Sequence, residues 1–92
     1  MLDIQYSNRF KKEYKAALKR GCNPDSLNVV LDYLVDGKPL PAKYKDHALI
    51  GNWKGYRDCH IEPDWLLIYK VDKTALVLVL ARTGTHSDLL GI

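Results

Sequence analysis

The 92-residue sequence predicts a single α+β domain, in which two helices pack on one face of a small antiparallel sheet. Two observations predict this class. Helical periodicity is confined to the first 36 residues or so. Three runs that are rich in aromatic and β-branched residues, with short turns between them, then fill the second half. No repeat or linker interrupts the chain, so the domain is expected to span residues 1–92.

The first half of the chain predicts a strand and two helices. An alternating apolar run at the start is typical of a strand. Ser7 is a suitable N-cap for a helix over residues 8–20 that ends at Gly21. Asn23 caps a second helix, whose apolar residues recur at helical spacing up to Gly37. The short connection between the helices predicts an antiparallel helical hairpin.

The second half predicts a loop, three strands and a short tail. Residues 37–52 contain Pro, Gly and Lys with little periodicity, which indicates a surface loop. An antiparallel meander is then predicted by the runs WKGYRDCHI, WLLIYKV and ALVLVLART, which the turns EPD and DKT separate. The tail is expected to form a turn or a short C-terminal helix, capped by Thr85 or Ser87.

Because the helices can cover only one face of the sheet, the other face is expected to be solvated or to bind a ligand. Alternation along the first meander strand places Lys54, Tyr56, Asp58 and His60 on this open face. Arg57 falls on the opposite face, and its long side chain is expected to reach an edge of the sheet.

Positive charge is concentrated near the start of the chain. The net charge is +3, and residues 9–20 hold six bases against one acid. A cationic helix attracts nucleic acid, an anionic membrane surface or an acidic protein, although such a helix is often only a solvated face. The chain has no apolar run that could span a membrane and no secretory signal, so we expect a cytoplasmic protein with no membrane association.

Three histidines fall in three different segments: His47 in the loop, His60 in the first meander strand and His86 in the tail. Together with Asp58 and Asp64 they would form an acid–base site, because imidazole titrates near neutrality, with an unperturbed pKa of about 6.5. Each of these residues also has an ordinary structural explanation, as a cap, a turn former or a cross-strand partner.

The sequence favours no metal or other cofactor. Zinc ligands are usually spaced as C-x-x-C or H-x-x-x-H pairs, and neither pattern occurs. The adjacent Cys59 and His60 would point to opposite faces of a strand. Glycine-rich nucleotide-binding motifs are missing too.

A resemblance to a known family rests on the segments YKDHALIGNWKGYRDCHIEPDWLLIYK and ARTGTHSDLLG. Across residues 44–91 the chain resembles the YafQ branch of the RelE-like toxins of bacterial type II toxin–antitoxin systems. The predicted order of strands and helices agrees with the RelE-like fold. The resemblance implies an mRNA interferase, a ribosome-dependent and metal-independent endoribonuclease that cuts mRNA in the A site by attack of the ribose 2′-OH on the adjacent phosphate.

The resemblance also implies partners. These are the ribosome with its mRNA and a cognate antitoxin of the DinJ or RelB type, which folds in part when it binds. Toxin and antitoxin would form a hetero-oligomer that binds its own operator DNA through the antitoxin. The cationic first helix could contact ribosomal RNA or an acidic segment of the antitoxin.

The residues that match family positions are His47, Asp58, His60, Asp64, Trp65 and His86. We expect His86 to be one proton-transfer partner and either Asp64 or His60 to be the other. His47 would hold phosphate or share the proton transfer.

Other residues are candidates for binding RNA. Phosphate contacts are expected from Lys54, Arg57 and Arg82. Trp65 or Tyr56 would stack on a base, with core packing as the alternative for Trp65.

Leu90 stands where the family has a tail aromatic that helps to position the base, which changes that contact. Two other functions remain open: a ParE-like gyrase inhibitor with the same fold, and a non-catalytic RNA- or protein-binding module. The three histidines favour the nuclease.

Overall fold

The computed structural model describes residues 1–90, with side chains up to Leu89, as a five-stranded sheet with three helices. The elements are β1 (Asp3–Tyr6), α1 (Asn8–Lys19), α2 (Pro24–Val35), β2 (His47–Ala48), β3 (Arg57–Glu62), β4 (Trp65–Asp72), β5 (Val77–Gly84) and α3 (His86–Leu90). Two single-turn 3₁₀ helices, Ala42–Tyr44 and Gly51–Trp53, flank β2. Within the described residues, no helix has the length and hydropathy to cross a membrane.

The helix ends follow the predicted capping residues. The Ser7 hydroxyl accepts a hydrogen bond from the backbone N–H of Phe10 at 2.9 Å, and the Asn23 side chain accepts one from Asp25 at 3.0 Å. After α1, Gly21 takes a left-handed conformation with φ of 95°, which a residue with a side chain rarely adopts. The α-helical hydrogen bonding of α1 ends at Lys19, one residue before the predicted end.

The strand order is β1-β5-β4-β3-β2. Strands β2 to β5 are antiparallel, which confirms the predicted meander. The sheet differs from the predicted one at one edge, where β1 runs parallel to β5. Neither strand's own sequence carries this information, since the direction of β1 relative to β5 depends on the whole intervening chain.

The main core lies between the sheet and the two long helices. Helix α1 packs chiefly on β5, and α2 packs on β3. Buried side chains at this interface include Phe10 and Ala17 from α1, Val30 from α2, and Cys59 and Leu67 from the sheet. The face of β3 that carries Cys59 is therefore the helix-covered face, as alternation predicts.

The opposite face of the sheet is less open than predicted. Leu66 and Ile68 of β4 are fully buried there beneath Leu89 of α3. Trp53 and Tyr56 pack against the same cluster, with their ring centroids 5.1 Å apart. Alternation assigned these two aromatic residues to opposite faces and was wrong, because the regular strand begins only after them and residues 51–53 form a 3₁₀ turn.

The predicted loop over residues 37–52 contains one short strand. His47 and Ala48 form β2, which pairs with Asp58 and Arg57 of β3 at the sheet edge. This strand brings the loop histidine next to the polar end of the exposed sheet face.

Candidate active site

His86 and Asp64 form the first half of the site. Asp64 lies in the turn between β3 and β4, and His86 is the first residue of α3. One carboxylate oxygen, Asp64 Oδ1, lies 2.7 Å from His86 Nδ1 and accepts the backbone N–H of His86 at 3.1 Å. These hydrogen bonds lower the pKa of Asp64 below its usual range. The pair fixes the imidazole and leaves His86 Nε2 for a substrate.

His60 faces this pair from β3. Its ring lies edge-on to the His86 ring, with centroids 4.9 Å apart and planes at 71°. Burial and the positive charge of His86 lower the pKa of His60, while Asp58 opposes the shift. The lowered pKa favours the neutral imidazole, which is the state that a proton acceptor needs.

His47 and Asp58 form the second half of the site. They are register partners between β2 and β3, and His47 Nδ1 lies 3.0 Å from Asp58 Oδ1. The same Nδ1 lies 2.9 Å from the carbonyl oxygen of Lys45, which takes its hydrogen bond. Asp58 Oδ1 has an imidazole within ion-pair distance, yet it has no hydrogen-bond partner within residues 1–90.

Asp58 is a buried carboxyl group, with only 1% of its side chain exposed. Burial raises its pKa, and the attraction of the nearby histidines, His47 first and then His60 and His86, opposes this shift only in part. All three histidines thus lie within electrostatic range of one carboxyl group. This convergence is the arrangement that the sequence made plausible but did not determine.

A neighbouring cluster anchors the segment that carries His47. The Asp46 carboxylate accepts hydrogen bonds from Arg57 Nε at 3.3 Å and Arg57 Nη2 at 3.0 Å, and another from the Tyr69 hydroxyl. Lys45, just before Asp46, adopts a left-handed conformation with φ of 50°. Sequence reasoning missed Asp46 and Tyr69. The sequence did contain one signal for this cluster. Tyr69 falls on the helix-covered face of β4, and a buried tyrosine hydroxyl needs a hydrogen-bond partner.

Two of the proposed phosphate contacts are engaged elsewhere. Arg57 binds Asp46, and Arg82 forms an ion pair with Glu13 of α1 through Nε and Nη2, with only 12% of the Arg82 side chain exposed. Arg82 therefore ties β5 to α1, and a phosphate contact from Arg82 stays a prediction. Lys54 is exposed, but it follows a 3₁₀ turn and does not lie on a strand face.

The proposed base-stacking residues are also placed differently. Trp65 is 1% exposed and its ring stacks on Tyr14 of α1 at 6.4 Å, so core packing replaces the stacking role. Tyr56 packs against Trp53, and Lys70 Nζ lies 5.6 Å from the Tyr56 ring centroid. Leu90 ends α3, and its side chain lies outside the described part of the structure.

A hollow of about 610 Å³ opens beside the two facing imidazoles. Two histidines and two lysines are among the residues that line it: His60, His86, Lys43 and Lys45. No group of three or more His, Cys, Asp or Glu in residues 1–90 is arranged to hold a metal ion. The residues present can accept a proton, donate a proton and attract an anion.

These features define a small α+β domain in which two imidazoles face each other beside a hollow. The chain belongs to the YafQ family: the family described as "Bacterial toxin of type II toxin-antitoxin system, YafQ" matches residues 2–91. The resemblance inferred from the sequence is thereby confirmed.

Individual relatives match over nearly their whole length. The mRNA interferase toxin YafQ of Escherichia coli K12 is 50% identical over 90 residues, which are 97% of this chain and 96% of the relative. The toxin in the crystal structure of the E. coli DinJ–YafQ complex is 48% identical, with a TM-score of 0.89 over 99% of this chain and 100% of that one. A metal-bound toxin from Helicobacter pylori is 43% identical, with a TM-score of 0.91 over 97% and 99% of the two chains.

Proposed function

We propose that this YafQ-family toxin is an mRNA interferase, an endoribonuclease that cuts mRNA in the ribosomal A site. Its family and the name of its 50%-identical relative support the enzyme class. The single observation that carries the mechanism is the approach of His60 and His86, whose rings lie 4.9 Å apart. Two imidazoles at this separation can act on the two ends of one phosphodiester bond.

In the proposed reaction the ribose 2′-oxygen attacks the adjacent phosphorus. His60 Nε2 or Nδ1 takes the 2′-OH proton, and His86 Nε2 gives a proton to the departing 5′-oxygen. The new 2′-O–P bond replaces the P–O5′ bond, so the products are a 2′,3′-cyclic phosphate and a free 5′-OH. Metal independence follows from the family resemblance and stays a prediction.

The surroundings of the two histidines support this assignment of base and acid. The lowered pKa of His60 favours the neutral imidazole that accepts a proton. The Asp64 carboxylate holds His86 through Nδ1, so Nε2 is the ring nitrogen left to donate one. Asp64 was the other candidate base, but its oxygen already binds two N–H groups of His86. We therefore assign Asp64 to positioning His86.

His47 is proposed to contact the phosphate. Its side chain is 57% exposed, and its Nδ1 is occupied by the Lys45 carbonyl oxygen. The opposite ring nitrogen, Nε2, is left for an anionic oxygen.

We infer a cognate antitoxin as partner, because the similar toxin of E. coli is found in a DinJ–YafQ complex. The exposed bases of α1 are suited to an acidic antitoxin segment or to ribosomal RNA; they include Lys11, Lys12, Lys15 and Lys19. Binding of operator DNA would occur through the antitoxin.

Primer extension on mRNA translated by purified ribosomes tests the proposal. We expect cuts within codons that require both ribosomes and toxin, and we expect His86→Ala to abolish them. Growth arrest by the wild-type toxin with intact mRNA would overturn the nuclease and support gyrase inhibition instead. Cutting of free mRNA at the same rate would contradict ribosome dependence.

A further inference from the structure

The hollow beside His60 and His86 extends well beyond the reacting groups. Ser26 and Val29 of α2 also line it, and its volume is about 610 Å³. Binding sites for small molecules commonly measure roughly 300 to 1,000 Å³. The hollow is therefore large enough for a nucleoside as well as its phosphate.

Part of the lining is apolar. Val29 is 46% exposed although it is a large aliphatic residue on a helix, and the exposed Pro63 also lines the hollow. Ile61 of β3 is a further lining residue and is only 5% exposed. Planar bases bind to apolar surfaces of this kind with little dependence on sequence.

Another part of the lining is cationic. Lys43 and Lys45 lie around the 3₁₀ turn, and Lys43 Nζ is held 5.1 Å from the Tyr44 ring centroid. The positive charge of Lys45 extends to His60, where it contributes to the lowered pKa of that imidazole. A phosphate that bridges Lys45 and His60 would lie within reach of both.

We propose that this hollow is the subsite for the nucleoside next to the scissile phosphate. The base packs on Val29 and Pro63, and the phosphate lies between the lysine pair and the imidazoles. This inference rests on the proposed nuclease function and names a surface that the proton-transfer mechanism does not use. The apolar lining residues suit a base, and the lysine pair with the two imidazoles suits a phosphate.

Two polar groups at the hollow would read the edge of the base. Glu62 accepts only a long hydrogen bond, 3.4 Å from the Asn23 N–H, so its carboxylate retains acceptor capacity. Ser26 supplies a hydroxyl among the lining residues of the hollow. A carboxylate prefers bases with amino or N–H donors on the exposed edge, so Glu62 is the specificity-determining residue of this subsite.

The test compares Val29→Glu with Asn28→Glu. Both variants add one negative charge to α2, but Asn28 faces a separate cavity with Met1 and Ile4. We expect Val29→Glu to lower kcat/KM for ribosome-dependent cutting at least about tenfold, because it places a charged carboxylate on the apolar surface where the base packs. Asn28→Glu should stay within about twofold of the wild type. Equal effects of the two variants would overturn the subsite while leaving the nuclease intact.

Nucleotide binding is measured without ribosomes by NMR titration of the full chain. The four 3′-nucleoside monophosphates should shift the backbone signals of Val29 and His60, whereas inorganic phosphate should shift His60 but not Val29. Val29→Glu should remove the nucleotide-dependent shifts, and Asn28→Glu should keep them. Identical shifts from phosphate and nucleotides at Val29 would refute the base contact. These titrations also separate a failed subsite from a failed nuclease function.

Mapping of cut sites tests the role of Glu62. Glu62→Gln should redistribute the cuts among nucleotides, with a change of at least about threefold in relative frequency, because an amide both donates and accepts hydrogen bonds. Unchanged cut-site preference would exclude Glu62 as the specificity determinant.

Discussion

The two histidine–aspartate pairs of the site contain the same residue types in opposite surroundings. In the His86–Asp64 pair the carboxylate is the exposed partner, with 67% of its side chain accessible, and two hydrogen bonds hold it. In the His47–Asp58 pair the carboxyl group is 1% exposed, and one of its oxygens has no hydrogen-bond partner among the described residues. Hydrogen bonds lower the pKa of Asp64, and burial raises that of Asp58.

The difference in burial indicates different roles for the two carboxyl groups. Asp64 orients the His86 imidazole, whereas Asp58 acts on the nearby histidines through its electrostatic field. A hydrogen-bonded surface carboxylate fixes one imidazole at little expense of stability. A buried carboxyl group without full hydrogen bonding destabilises the fold, and groups of this kind are typical of functional sites. Asp58 lies within range of all three histidines, so its effect is shared among them.

The largest expected effect is on the cleavage rate, and it should differ between substitutions of His86 and His47. His86→Ala should lower the cleavage rate about 100- to 10,000-fold, the range for loss of a general acid or base. His47→Ala should lower it less, by roughly tenfold to 100-fold, because it removes a phosphate contact and no proton transfer. Single-turnover primer extension measures both. A larger loss for His47→Ala would reverse the assigned roles.

Asp64→Asn tests orientation in the first pair. The amide keeps the shape but loses the charge that holds the His86 imidazole, so kcat should fall roughly tenfold or more. The KM for programmed ribosomes should remain within about twofold, because Asp64 makes no proposed RNA contact. A rise in KM with unchanged kcat would show that Asp64 binds substrate instead of positioning His86.

Asp58→Asn tests the second pair through stability. The raised pKa means that folded Asp58 binds a proton more readily than the unfolded chain does, so stability declines as pH rises from about 3.8 through the raised value. The variant lacks this decline and should be more stable at pH 7, by about 1 kcal/mol or more, while cutting more slowly.

Urea unfolding between pH 4 and 8 measures this change, with Asp64→Asn as the matched control. The lowered pKa of Asp64 contributes stability above its ordinary value, which is lost as pH falls, so that variant should show the opposite sign. An Asp58→Asn protein that is less stable than the wild type at pH 7 would contradict our account of the buried pair.

Tyr69→Phe tests the anchor of the His47 segment alone. Loss of the hydroxyl bond to Asp46 should lower the free energy of unfolding by about 1 kcal/mol and slow cutting a few-fold. His60 and His86 should keep their NMR signals, because they lie outside this cluster. Tyr33→Phe is the control, since Tyr33 lines a separate cavity with Asp32 and Lys38. Equal losses in the two variants would exclude a specific anchor.

The smallest expected effect is a change in the NMR titration midpoint of His60. Its NMR midpoint should lie below pH 6.5, because burial and the positive His86 disfavour its protonation. His86→Gln removes that charge, so the midpoint should move upward but remain below 6.5 as burial persists. A midpoint above 6.5 in the wild type would count against His60 as the base.

Much of the fold could be predicted because its signals are local. Ser7 and Asn23 cap the helices as expected, and the meander forms where aromatic and β-branched runs alternate with turns. The wrong predictions concern residues outside regular strands, where side chains do not alternate between the two faces of the sheet. Strand alternation does not hold for Trp53 and Tyr56, because the chain there turns before β3 begins.

The sequence by itself determined the elements, their caps, the cationic first helix and the family. It also supplied the histidines and carboxylates, since residue type and family pattern are properties of the chain alone. Only the tertiary structure decided that His60 faces His86, that Asp58 is buried, and that Arg82 binds Glu13. Burial and long-range pairing depend on strand register between segments far apart in the chain, and they fix both the pKa of each group and the partner that it meets.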